Sequence, residues 1–141
     1  MTLIHGTGIF YEGKAVLLRG VSGSGKSDLA LRMMACGAKL IGDDYLEVTQ
    51  GEDGRLIMAS PSTIRGRIEV RNVGILEVPY QPSAPIDLIL LLGDIARLER
   101  LPEARTICLE GVVVPCLEFY AFEASAPEKF RAALKILDQL Y

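Results

Sequence analysis

Apolar residues fall along this chain in short runs separated by turn residues, and each run can be read by its period. Ala15-Val-Leu-Leu-Arg19 ends in Gly20, the pattern of a buried strand entering a turn. Over residues 27–36, Leu, Ala and Met recur at helical spacing, and Gly37 stands where a helix would stop. Lys39-Leu-Ile-Gly42 predicts a second strand ending at Asp43 and Asp44. A helix between two strands implies a right-handed crossover, which lays the strands parallel and brings both carboxylates to the sheet edge carrying the glycine-rich turn.

Residues 45–50 and 55–60 flank Gly51-Glu-Asp-Gly54, a hairpin signal with glycines at the turn. Residues 61–66 read as a connection, followed by strands over 68–71 and near 74–78. Asp87-Leu-Ile-Leu-Leu-Leu92 predicts another buried strand, and residues 112–119 a strand near the sheet edge, broken at Pro115. Ser125-Ala-Pro-Glu128 fits a capping box, after which Phe130, Ala133, Leu134, Leu137 and Leu140 form one apolar helical stripe. The expected fold is α/β, a mixed sheet with flanking helices in a single domain over residues 1–141.

Half of the 141 residues are hydrophobic, enough for one core and not two. The net charge of −3 excludes a general basic field for nucleic acid or an anionic membrane. The longest apolar runs fall short of the roughly 20 residues that span a bilayer. The opening Met-Thr-Leu-Ile-His has neither a basic flank nor a signal core, so a cytoplasmic protein is expected. Cys36, Cys108 and Cys116 show no Cys-x-x-Cys spacing and are read as buried, reduced thiols.

One segment carries specific chemistry. Gly20, Val21, Ser22, Gly23, Ser24, Gly25, Lys26 and Ser27 match the phosphate-loop pattern of Gly, four residues and Gly-Lys-Ser/Thr, between a predicted strand and helix. Backbone N–H groups of such a loop converge on phosphate oxygens, and the helix start aims its dipole at the same charge. Lys26 is expected to reach the β and γ phosphates and the Ser27 hydroxyl to ligate magnesium, so ATP and Mg²⁺ are the expected ligands. A phosphate loop serves protein kinases, small-molecule kinases and non-enzymatic ATP sensors alike. Asp43 and Asp44 supply a carboxylate pair in which one side chain can face the γ-phosphate while its neighbour turns away. His5 is the only histidine, Arg65, Arg67 and Arg71 gather around Glu69, and Glu69 and Asp94 compete as the second magnesium ligand.

His5-Gly6, the loop 20–27, Leu40-Ile-Gly-Asp-Asp44 and Ile68-Glu-Val-Arg-Asn-Val-Gly-Ile75 together resemble, in order and spacing, the catalytic domain of bacterial HPr kinase/phosphorylase. The resemblance is strong from residue 1 to about 80. It implies that Lys26 and His5 are active-site residues, that Ser27 and Glu69 hold magnesium, and that Asp44 is the acid/base acting on a serine of HPr, the small phosphocarrier protein of the sugar phosphotransferase system. Arg100 resembles a further catalytic arginine, and a homo-oligomer is implied as well. Two departures stand out. The chain looks like a short form without the amino-terminal domain of the long one. In place of a Pro- and Arg-rich loop tied to dephosphorylation it has Val113-Val-Pro-Cys-Leu-Glu-Phe119, so kinase activity is expected and phosphorylase activity is not.

Overall fold

Strands buried on both faces need a layer on each side, and this requirement organises the chain. The computed structural model describes residues 1–140. The Leu140 side chain, last in the expected helix stripe, lies outside the described residues. In chain order the strands are Thr2–His5 (β1), Thr7–Tyr11 (β2), Lys14–Arg19 (β3), Lys39–Gly42 (β4), Tyr45–Gln50 (β5), Leu56–Ala59 (β6), Arg67–Val70 (β7), Gly74–Glu77 (β8), Ser83–Pro85 (β9), Leu88–Leu92 (β10), Arg105–Leu109 (β11) and Val112–Phe119 (β12). The helices are Lys26–Ala35 (α1) and Ala126–Leu140 (α2), with short 3₁₀ turns at Ser62–Ile64 and Ile95–Arg97.

A six-stranded sheet in the order β11-β12-β10-β3-β2-β4 forms the middle layer. Val16 and Leu18 of β3, with Leu88, Leu90 and Leu92 of β10, pack on one face against Leu29 and Met33 of α1 and Phe130, Ala133, Leu134 and Leu137 of α2. Ala15, Leu17 and Ile89 face the other way, onto Val48, Leu56 and Met58 of a four-stranded sheet, β1-β5-β6-β9. This explains why the runs at 15–18 and 88–92 are continuously apolar rather than alternating. Burying each such Leu or Ile side chain contributes about 1.5–3 kcal/mol before entropy is counted. β7 and β8 form a separate antiparallel hairpin in which β8 is exposed throughout.

The expected elements around the glycine loop are present, with one change in topology. β3 and β4 point the same way and end on the same sheet edge, but they are not neighbours. β2 lies between them, antiparallel to both. The expected hairpin is present as β5–β6, with Gln50 opposite Leu56. α1 ends in a Schellman motif: Ala38 N–H donates to Met33 O at 3.0 Å, Gly37 N–H to Met34 O at 3.0 Å, and Gly37 takes φ +101°. At the start of α2, Lys129 N–H donates to the Ser125 carbonyl at 2.9 Å, which puts Ser125 at the helix N-cap position.

β12 lies near the sheet edge as expected, one strand in: it pairs in parallel with β10 and antiparallel with β11, which is the edge strand. Two other expectations are corrected. Pro115 does not break β12. The parallel ladder with β10 begins at Cys116, one residue later, so the missing N–H costs that ladder no rung. Of the cysteines, Cys116 alone is buried, whereas Cys36 and Cys108 are free and exposed.

Candidate active site

β3, β10 and β12 run parallel and release their carboxyl ends on one edge, where the chain leaves β3 toward α1 and the opposite flank. The glycine loop sits in that crevice. Gly20 passes so close to the end of β10 that a Cβ there would stand 2.5 Å from Ser24 Oγ and 2.8 Å from the Leu92 carbonyl. Gly25 takes φ +97° and turns the chain into α1. The first helical bond runs from Leu29 N–H to Gly25 O at 2.8 Å, so the N–H groups of Lys26, Ser27 and Asp28 precede it and have no acceptor within the helix. The Ser24 hydroxyl is buried with no hydrogen-bond partner among the described residues. A buried unpaired donor is costly, and here it lies in the loop that leads into the unpaired N–H groups at the start of α1, an arrangement that fits a phosphate oxygen as its acceptor.

Lys26 is 8% exposed. Its Nζ donates to Gly20 O at 2.7 Å and Val21 O at 3.0 Å, spanning the loop. Burial pushes its ammonium below the ordinary 10.5, and the charges of Asp43 and then Asp44 oppose that shift.

The two aspartates diverge. Asp43 Oδ1 accepts from Ser27 Oγ at 2.8 Å and from Thr7 Oγ1 at 3.0 Å, tying the first turn of α1 to the ends of β4 and β2. Asp44 Oδ1 lies 3.2 Å from His5 Nε2, and the Asp44 side chain is 70% exposed. The His5 ring packs on Tyr45 with centroids 5.5 Å apart, and Gly6 N–H donates to Asp44 O at 3.0 Å. The expected divergence is present, but strand alternation is not its cause. Asp44 adopts the left-handed φ of +74°, and that bend turns its carboxylate toward His5.

Thr7 had no place among the expected site residues, although it is fully buried and holds Asp43. Its one sequence signal is a hydroxyl residue next to His5-Gly6 at the start of an apolar run. Glu69 is exposed on β7, opposite Ile75. Asp94 Oδ1 accepts from Ala96 N–H at 3.1 Å and so caps a 3₁₀ turn. Arg100 is exposed in the loop leaving β10, on the sheet edge that carries the glycine loop. Among the described residues, none of these three makes a hydrogen bond to the Lys26, Ser27, Asp43, Asp44 and His5 group. No group of three or more His, Cys, Asp and Glu is gathered closely enough among the described residues to hold a metal alone. A hydroxyl and one or two carboxylates fit magnesium, which takes few protein ligands and completes its shell with phosphate oxygens and water.

Comparison with known proteins follows the same lines. Residues 1–81 match the family model for the HPr Serine kinase C-terminal domain. An HPr kinase/phosphorylase of Clostridium tetani is 39% identical over 101 residues, which is 70% of this chain and 32% of that protein. One from Limosilactobacillus reuteri is 33% identical over 124 residues, covering 79% of this chain and 38% of that protein. The chain therefore spans roughly a third of the length of these curated relatives. The solved structure of the Hpr(Ser) kinase/phosphatase from Coxiella burnetii superposes with a TM-score of 0.86 at 23% identity, covering 96% of this chain and 95% of that one, and has the same fold.

Proposed function

The chain belongs to the HPr serine kinase C-terminal domain family, and on that footing we propose that it is an ATP- and magnesium-dependent kinase that transfers the γ-phosphoryl group to a serine of HPr. The observation that carries the proposal is the pair formed by Asp44 and His5, an exposed carboxylate held by an imidazole on the same sheet edge as the phosphate loop. Phosphoryl transfer asks a protein for alignment and for positive charge, with little covalent chemistry of its own. The loop N–H groups, the Ser24 hydroxyl and Lys26 would bind the phosphates, Lys26 exchanging its two loop carbonyls for phosphate oxygens. Ser27 and Glu69 would hold magnesium, which when bound neutralises charge on the β and γ phosphates. Asp44 orients the serine hydroxyl and takes its proton as the serine oxygen bonds to phosphorus and ADP departs. His5 holds Asp44 in place, and Arg100 would add positive charge from the loop after β10.

The forward direction is favoured. Residues 113–119, which the family resemblance sets in place of the long form's Pro- and Arg-rich loop, lie within β12, an unbroken inner strand carrying no arginine. Single-turnover incubation with γ-labelled ATP, magnesium and HPr tests the proposal. Label on a serine of HPr supports it. Label on a metabolite would identify a small-molecule kinase instead, and nucleotide binding without transfer a sensing module.

A further inference from the structure

Beside the phosphate loop lies a large aromatic side chain to which no role falls in phosphate binding or proton transfer. Phe122, in the turn after β12, is 52% exposed, yet its ring is set firmly against the loop. A methyl group placed on Gly25 would stand 2.8 Å from Ala121 Cβ and 3.0 Å from Phe122 Cζ. Tyr120 packs edge-on against the Phe122 ring, with centroids 5.8 Å apart and planes at 71°. The turn itself is fastened to α1. Arg32 donates to the carbonyls of Ala121 at 2.8 Å, Glu123 at 2.8 Å and Ala124 at 3.2 Å, and Glu123 is paired with Lys129 at 2.8 Å. One guanidinium thus locks the segment bearing Phe122 to the helix that begins at the phosphate loop.

From this geometry we propose that Phe122, backed by Tyr120, is the stacking platform for the nucleobase of the triphosphate held on the loop. The proposal rests on the reading of residues 20–27 as a nucleoside triphosphate site and adds the subsite that holds the base. A triphosphate has two ends. The acceptor serine must meet the γ-phosphate beside Asp44 and His5, on the β4 and β2 flank. The nucleoside must therefore leave toward the opposite flank, where β10 and β12 end and Phe122 stands. A half-exposed ring in a clamped turn offers a rigid π face at little entropic cost, and a base can stack on it without hydrogen-bond readout.

Isothermal calorimetry with two probes, ATP and inorganic tripolyphosphate, each with magnesium, separates base from phosphate binding. Phe122→Ala is expected to weaken ATP about 5- to 100-fold, as loss of one aromatic stack does, and to leave tripolyphosphate affinity within twofold. Equal loss for both probes would show that the ring merely props Gly25, and no loss for either would also overturn the platform. If the parent binds ATP no better than tripolyphosphate, the platform fails while the phosphate site stands. If it binds neither, the triphosphate reading itself fails and the platform with it. The chain has no tryptophan, so Phe122→Trp supplies a second readout: emission quenched by ATP and unchanged by tripolyphosphate supports stacking, and the same response to both refutes it.

Discussion

The Ser27 hydroxyl donates to Asp43 Oδ1 over 2.8 Å, and the same oxygen accepts from the buried Thr7 hydroxyl at 3.0 Å. One carboxylate oxygen thereby joins the start of α1 to β2 and β4. Asp43→Ala leaves the Thr7 hydroxyl buried without this acceptor and should cost about 1–3 kcal/mol in urea unfolding. Adding Thr7→Val should recover part of the loss, because removing both partners is cheaper than stranding one. Equal stability of Asp43→Ala and the parent would show that the network carries no weight.

Asp44 faces His5 and solvent and holds no part of the loop. Asp44→Asn should therefore keep nucleotide affinity within about twofold while the rate of HPr phosphorylation falls ~10²–10⁴-fold, the usual contribution of a general base. His5→Ala should cost less, since it acts through Asp44. Equal rates for Asp44→Asn and the parent at saturating ATP would remove Asp44 from the mechanism.

Of two glycines at the same edge, only one should be sensitive to an added Cβ. In Gly20→Ala the new Cβ meets the backbone carbonyl of Leu92 at 2.8 Å, a neighbour that cannot rotate aside. The expected result is about 1–3 kcal/mol of destabilisation together with loss of ATP binding in calorimetry. Around Gly93 a Cβ meets nothing within 4 Å, and Gly93→Ala should change stability by no more than about 0.5 kcal/mol. Comparable loss in both variants would refute the close approach at Gly20.

The cysteines give a test that depends on pH. Burial pushes the Cys116 thiol above its ordinary 9.0, with Arg105 opposing and Glu118 adding to the shift. At about pH 8 a colorimetric thiol reagent should titrate the exposed Cys36 and Cys108 in the native protein and reach Cys116 only in urea. Above pH 9 the unfolded chain ionises at Cys116 before the folded one does, so the parent should lose stability more steeply with rising pH than Cys116→Ala. Rapid modification of all three native thiols would contradict the burial.

How far the residue order alone reaches depends on whether the physics is local. The phosphate loop, the stop at Gly37, the hairpin turn at residues 51–54 and the twice-buried strands β3 and β10 are legible because their chemistry lies within a few consecutive residues. The same holds for the α/β class and for the sheet edge where Asp43 and Asp44 emerge. Short or exposed strands such as β9 and β11 carry too weak a pattern to be read, and nothing in the order of residues reveals that β2 separates β3 from β4. Thr7 meets Asp43 across 36 positions, and Arg32 reaches the carbonyl beside Phe122 across 89. Those contacts depend on strand order and register, which are settled by burying both faces of the middle sheet at once, a condition on the whole chain that no single segment contains.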